Sequence, residues 1–119
     1  MSKQTIYFIV SFKINDGKLD AFQQIAQAMI AATREEPGAL AYEWHFSADH
    51  TRCRLLETYA DQAAMQQHIS GKAVQLIPKL LEVSSVSGFD VYGDTGSESA
   101  TTLTAFGAEI FPRWSGLAR

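Results

Sequence analysis

The chain has 119 residues and 46% of them are hydrophobic, which fits one globular domain rather than a disordered protein. It has 10 Lys and Arg against 13 Asp and Glu, and its net charge of −3 argues against a nucleic-acid partner, which would select a basic surface. The single cysteine, Cys53, excludes an internal disulfide and is typical of a reducing compartment. No apolar run is long enough to cross a membrane, so we expect a cytoplasmic protein with no membrane partner.

The N-terminal third of the chain predicts a strand followed by a helix. Apolar residues occupy every second position from Ile6 to Ile14, which is the periodicity of a strand. After the turn at Asn15-Asp16-Gly17, apolar residues recur every three or four positions from Leu19 to Met29, which predicts an amphipathic helix. The sequence Glu36-Pro37-Gly38 ends this helix, because proline cannot continue it and glycine favours a turn.

The middle of the chain predicts a hairpin, a short helix and a last strand. Aromatic and aliphatic residues alternate from Leu40 to Phe46, and a turn leads into a third strand from Arg52 to Tyr59. Asp61 is a suitable N-cap for a helix that runs through His68. Further helical turns precede a fourth strand, predicted from Val86 to Tyr92.

This order of elements, βαββαβ, predicts an α+β protein with the ferredoxin-like fold in residues 1–93. The helices of that fold cover one face of the sheet, yet the first strand also places Tyr7 and Ile9 on its other face. Soluble monomers rarely leave a large apolar face uncovered. We therefore expect a homodimer in which two sheets pack together. The alternative is that the C-terminal segment folds over the open face.

Residues 94–119 form a C-terminal extension that follows the flexible stretch Gly93–Ser97. Apolar residues recur in it at helical spacing: Leu103, Phe106, Ile110 and Trp114. We expect a helix that begins near Ser97 and ends at Phe111-Pro112. Because so short a helix is unstable alone, its apolar stripe must be buried, and we expect it to dock on the partner subunit.

The chemical inventory of the chain is small. The three histidines, His45, His50 and His68, lack the spacing of a metal site, and no glycine-rich phosphate loop follows a strand. We therefore expect no metal and no cofactor. What remains is His68, on a short helix beside aromatic strands, and histidine is a suitable general base near neutral pH. The polar neighbours Gln66 and Gln67 taken alone favour a solvent-facing His68.

About residues 4–93 resemble the antibiotic biosynthesis monooxygenase family, and the resemblance is concentrated between Glu35 and Gly71. The matching features are the Glu36-Pro37-Gly38 turn before the second strand, an E-x-aromatic-x-D stretch from Glu57 to Asp61, and His68-Ile69-Ser70-Gly71. The resemblance implies a dimeric α+β barrel built from two ferredoxin-like halves. It agrees with the dimer expected from the open sheet face.

The resemblance also implies a site. With the histidine motif in register, His68 is expected to face a cavity and to act as the general base. Tyr42, Trp44 and Tyr59 are the expected substrate-binding residues. On sequence alone Tyr42 and Trp44 suit a core more often than a substrate site, and Tyr59 suits either equally well. Glu57 is expected on the wet face of its strand or paired with Arg34 or Arg54, and it is interpreted as structural first: an anchor of the helix start or a group that supports the site from behind.

The family includes oxygenases that oxidise phenols and quinols with dioxygen and without metal, flavin or haem. We expect this activity on a small aromatic substrate. The alternative is a non-catalytic small-molecule-binding or regulatory dimer, or an isomerase of the same fold, because fold does not fix function. Haem-degrading relatives use a Trp, an axial His and an Asn where this chain has His68, Pro78 and Val10, so haem chemistry is not expected.

Overall fold

The computed structural model describes residues 4–119, in which helices pack against one face of a five-stranded sheet. The elements are β1 (Ile6–Ile14), α1 (Leu19–Arg34), β2 (Ala39–Phe46), β3 (Arg52–Tyr59), α2 (Gln62–Ile69), a 3₁₀ turn (Val74–Leu76), α3 (Ile77–Leu80), β4 (Ser84–Tyr92), α4 (Ser97–Ala105) and β5 (Glu109–Phe111). The first four strands and their helices confirm the predicted ferredoxin-like α+β fold.

The sheet has the strand order β2-β3-β1-β4-β5. The central strand β1 pairs antiparallel with β3 and β4, and β3 pairs antiparallel with β2. The short strand β5 pairs parallel with β4. The edges of the sheet are therefore β2 on one side and β5, from the C-terminal extension, on the other.

The helix-facing side of the sheet holds two apolar clusters. One packs α1 and α3 on β1 and β3, and consists of Phe12, Ile14, Phe22, Met29, Cys53, Leu55, Ala73 and Leu80. The other packs α2 and α4 on the opposite end of the sheet, and consists of Ile6, Phe8, Tyr59, Ala64, Met65, Val91, Leu103 and Ala108. On β3 the inward residue between the two clusters is Glu57, which lies between Leu55 and Tyr59.

The predicted alternation of β2 is correct except at its start. Tyr42, Trp44 and Phe46 are half-buried and pack against the core. Leu40, expected on the same face, is 60% exposed. The pairing of β2 with β3 shifts register between Ala39 and Ala41, and such a bulge reverses the face on which the preceding side chain lies.

The C-terminal extension begins as predicted but does not continue as one helix. α4 ends at Ala105, and Gly107 follows with a φ of 93°, the left-handed conformation that commonly ends helices. Ile110, expected on the helix stripe, lies in β5 instead. A strand is favoured here because it satisfies the backbone hydrogen bonds that β4 would otherwise leave open at the sheet edge.

The extension widens the sheet, and apolar surface remains exposed. On the open face, Tyr7 and Leu56 are 38% and 37% exposed. Beyond β5, Trp114 and Leu117 are 96% and 77% exposed. The described chain thus presents both an open sheet face and a terminal segment with two uncovered apolar side chains.

Candidate functional site

Five polar or aromatic side chains meet between the sheet and α2, and we call them the His68 cluster: Glu36, Tyr42, Glu57, Tyr59 and His68. His68 is only 4% exposed. Its Nδ1 lies 2.9 Å from Oε1 of Glu36, and its Nε2 lies 3.4 Å from Oε1 of Glu57. The Tyr59 hydroxyl donates a short hydrogen bond to the same Glu57 oxygen. The solvent-facing alternative for His68 is therefore wrong.

Backbone geometry brings Glu36 and His68 together. Asp61 caps α2 by accepting a hydrogen bond from the Ala64 backbone N–H at 2.9 Å, which confirms its predicted role. The turn after α1 packs directly on α2, because a Cβ on Gly38 would overlap the side chain of Ala64. A Cβ on Gly71 would approach Oε2 of Glu36 to 2.9 Å. The two glycines thus allow the close approach that places Glu36 against the histidine.

Burial sets the charges of the cluster. It raises the pKa of Glu57 to about 8; the Tyr59 hydrogen bond opposes this rise and the charge of Glu36 adds to it. Burial also lowers the pKa of His68, although Glu36 acts in the opposite direction. Both shifts favour a protonated Glu57 beside a neutral His68. Since Glu36 accepts from Nδ1, the unprotonated ring nitrogen is Nε2, which faces Glu57.

Two tyrosines border the histidine ring. The ring of Tyr42 lies 5.3 Å from that of His68, and the ring of Tyr59 lies 5.0 Å away. Burial, with a further contribution from the Glu57 charge, raises the pKa of both phenols well above the ordinary value. Both hydroxyls therefore remain neutral donors, and neither serves as a base near neutral pH.

Trp44 lies outside this contact. It stacks on Phe12 at 5.9 Å and meets Phe22 and Tyr42 edge-on, each at 5.8 Å. Among the residues that the structure describes, its buried Nε1 has no hydrogen-bond partner. Of the four site residues predicted from the sequence, the fold thus brings Tyr42, Tyr59 and His68 together, and it connects Trp44 to them only through Tyr42.

The two remaining histidines lie outside the His68 cluster. His45 lies on the exposed side of β2, with Nε2 3.6 Å from Oε1 of Glu43. His50 lies in the hairpin turn with a φ of 58°. Within residues 4–119, no group of three or more His, Cys, Asp or Glu side chains is arranged to hold a metal ion. None of the helices in this range combines the length and hydropathy needed to span a membrane.

Sequence reasoning was correct only in part for one member of the cluster and missed another. Glu57 is neither on the wet face nor paired with an arginine, since it is 5% exposed and contacts Tyr59 and His68. The alternative that Glu57 supports the site from behind agrees with its contact with His68. The signal was present: Glu57 occupies an inward position in the alternating stretch Cys53–Tyr59, where apolar residues are the rule. Glu36 was interpreted only as part of a turn, and nothing in its local pattern indicates that its side chain is buried.

The family of the chain follows from direct comparison. A sequence model of the antibiotic biosynthesis monooxygenase family matches residues 5–78, which is more than half of the 119 residues. The chain belongs to this family. The matched range includes the whole His68 cluster and excludes the extension formed by α4 and β5. No match was found among curated protein sequences.

Solved structures share the fold of this family member. MupZ from Pseudomonas fluorescens is 22% identical, with a TM-score of 0.84 over 98% of this chain and 95% of that chain. Protein SO0527 from Shewanella oneidensis is 30% identical, with a TM-score of 0.63 over 76% of this chain and 88% of that chain. Rv0793 from Mycobacterium tuberculosis is 24% identical, with a TM-score of 0.66 over 73% and 91%. The coverage by MupZ indicates that the C-terminal extension has a counterpart in that fold.

Proposed function

We propose that this family member is a cofactor-independent monooxygenase that oxidises a small phenol or quinol with dioxygen, and that His68 is its general base. The observation that carries the proposal is the contact of His68 Nδ1 with Glu36 at 2.9 Å. A carboxylate on Nδ1 fixes the tautomer and orientation of the ring and stabilises the imidazolium that forms when Nε2 accepts a proton. Glu36 is thus a positioning residue.

The proposed reaction needs no bound cofactor, because the substrate supplies the electrons. His68 removes the proton of the substrate hydroxyl, and the resulting anion reduces dioxygen and forms a carbon–oxygen bond at the ring. The ring peroxide then loses water and becomes a quinone. One oxygen atom of dioxygen becomes the new carbonyl and the other leaves as water, so a phenol and dioxygen give a quinone and water.

The aromatic residues provide the proposed contacts with the substrate ring. The rings of Tyr42 and Tyr59 lie 5.3 and 5.0 Å from the ring of His68, and both hydroxyls are neutral. Trp44 is a more distant wall that acts through Tyr42. Offset or edge-on packing against such rings favours a flat aromatic substrate. Because His68 is 4% exposed, a substrate reaches Nε2 only if nearby side chains move.

Two other functions remain open for the same site. An isomerase requires a base and an acid on either side of a substrate, and a protonated Glu57 beside a neutral His68 supports that chemistry. A non-catalytic small-molecule-binding or regulatory dimer would need only the burial and the aromatic walls. The monooxygenase is preferred because it matches the chemistry for which the family is named.

We also propose that the protein functions as a homodimer. Support comes from the exposed apolar side chains Tyr7 and Leu56 on the open sheet face. The terminal segment 112–119 is proposed to dock on the partner subunit, because Trp114 is 96% exposed and an indole ring gains much by burial.

The test is oxygen consumption with a panel of phenols and quinols, compared between the wild type and His68→Gln. Glutamine keeps a donor and an acceptor between Glu36 and Glu57, whereas His68→Ala would remove the side chain that Glu36 contacts in this buried site. We expect the variant to lower the rate by about 10²–10⁴-fold. Exposed His45 on β2 provides the control, His45→Gln, which should leave the rate unchanged. Equal rates in His68→Gln and wild type would remove His68 from the mechanism, and ligand binding without oxygen consumption would support the non-catalytic alternative.

A further inference from the structure

We propose that Glu57 is a second catalytic group, a carboxylic acid that contacts the substrate and donates a proton opposite the base His68. For the reaction itself this inference rests on the proposed function. The protonation state of Glu57, by contrast, is a property of the folded chain and is measured without substrate.

The geometry supports a preformed acid–base pair. Oε1 of Glu57 lies 3.4 Å from Nε2 of His68, which is longer than a well-formed hydrogen bond of about 2.7–3.2 Å. The two atoms face each other at a distance too long for a strong hydrogen bond. Catalytic hydrogen bonds in enzymes without substrate are often long in this way. For a substrate oxygen to lie between them, the two atoms must move apart.

The surroundings of Glu57 favour the neutral acid. The charged and titratable groups that face it are Glu36 from the turn after α1, Tyr42 from β2, Tyr59 from β3 and His68 from α2. On β1 it is paired with Phe8. In the described part of the chain, no ion pair joins Glu57 or Glu36 to a lysine or an arginine. A buried carboxylate without a cation is costly, so the site retains one proton on Glu57.

A donor at this point completes the oxidation. His68 takes the hydroxyl proton, and after oxygen adds to the ring carbon, Glu57 protonates the terminal oxygen of the peroxide. The carboxylate then removes the hydrogen of that carbon as a proton, and the O–O bond breaks as the electron pair of the C–H bond forms the new carbonyl. The leaving hydroxide takes the proton from His68. Both residues regain their starting states, and the products are a quinone and one water.

The same arrangement limits the class of substrate. Two carboxyl side chains, Glu36 and Glu57, contact His68, and no lysine or arginine is paired to either of them in the described residues. Anionic groups close to the reacting ring would be repelled in this poorly solvated place. We therefore infer that the substrate is an uncharged hydroxylated ring, without a carboxylate or phosphate next to the reacting hydroxyl.

The protonation state of Glu57 is tested by infrared spectroscopy of the wild type without substrate. We expect a carbonyl band of a protonated carboxylic acid near pH 7 that disappears above about pH 8. The variant Glu57→Gln, which keeps the shape and the contact with Tyr59, should lack this band, and Glu82→Gln, at an exposed position after α3, should retain it. Absence of the band from the wild type at pH 7 would overturn the proposal. This measurement does not depend on the folding of any variant.

The catalytic role is tested by oxygen consumption with neutral phenols and quinols. Glu57→Gln should lower kcat by about 10²-fold or more, and it should remove the fall in kcat/KM of the wild type above about pH 8. A variant with wild-type kcat and an unchanged pH profile would refute the donor role. If no variant, the wild type included, consumes oxygen, the proposed oxidation fails, and the infrared band still decides whether Glu57 is a preformed acid.

Discussion

The pH dependence of stability is where the buried pair of Glu57 and His68 makes its most quantitative prediction. In the unfolded chain Glu57 loses its proton near pH 4.5 and His68 loses its own near pH 6.5. In the folded protein the pKa of Glu57 is raised to about 8 and that of His68 is lowered. Between pH 6.5 and pH 8 the folded state therefore holds one proton that the unfolded state has lost, so stability falls as the pH rises.

The size of the effect follows from the same values. One proton taken up on folding changes the free energy of unfolding by about 1.4 kcal/mol per pH unit. Because unfolded His68 is half titrated at pH 6.5 and folded Glu57 is half titrated at pH 8, the change between these two pH values is about 1.3 kcal/mol. Glu57 is 5% exposed, so solvent screening does little to reduce this figure.

Glu57→Gln separates this contribution from every other titration. In that variant residue 57 does not titrate, and the lowered pKa of His68 keeps its ring neutral in the folded state above pH 6.5. The contribution of the pair to the free energy of unfolding therefore changes little from pH 6.5 to 8. Urea unfolding at fixed protein concentration, repeated at four pH values from 6.5 to 8, measures the difference. The wild type should lose about 1.6 kcal/mol relative to the variant across this range, and Glu82→Gln should follow the wild type. Parallel curves for wild type and Glu57→Gln would show that Glu57 is ionised when folded.

Three further predictions concern the positioning of the site and the assembly. Glu36→Gln should keep the contact with His68 but lower kcat by about 10²-fold or more. Because Glu36 raises the pKa of the histidine, the variant should also lose activity on acidification at a lower pH than the wild type. If the acid side of the pH–rate profile is unchanged, Glu36 does not act through His68. Gly38→Ala should push α2 away and reduce the free energy of unfolding, measured in urea, by about 1–3 kcal/mol. Gly88→Ala is the control and should change this free energy little, because its Cβ would meet Ser11 at an ordinary 3.7 Å. Similar effects of the two substitutions would contradict the close packing of the turn. Trp114→Ala should raise the dissociation constant of the proposed homodimer at least about ten-fold in analytical ultracentrifugation. Leu81→Ala, at another exposed position, is the control and should leave it unchanged. An unchanged dissociation constant in Trp114→Ala would show that the terminal segment has no role in assembly.

The sequence predicted the architecture well because hydrophobic periodicity reports directly on buried faces. The strand from Arg52 to Tyr59 and the Asp61 cap were located from local patterns, and both agree with the structure. The end of α4 was misplaced because the apolar spacing up to Trp114 imitates a helix, whereas Gly107 and the open edge of β4 favour a strand. Local spacing does not show which sheet edge a later segment will meet.

The site was only partly predictable for a related reason. His68 was identified, but its two carboxylate partners lie far from it in sequence, 32 residues away for Glu36. A contact of that kind depends on the path of the turn and on the close packing of Gly38 against α2, neither of which has a local pattern. The inward position of Glu57 in an apolar strand was visible, and a buried acid in such a position is a reasonable sign of a functional site.

Oxygen-isotope labelling tests the central claim most directly. The purified protein is given ¹⁸O₂ and a neutral phenol that it oxidises, and the quinone is examined by mass spectrometry in the wild type and in His68→Gln. We expect one labelled oxygen atom in the quinone formed by the wild type, and a rate of formation about 10²–10⁴-fold lower in the variant. A quinone without label, or an equal rate of labelling in His68→Gln, would contradict a monooxygenase that uses His68 as its base.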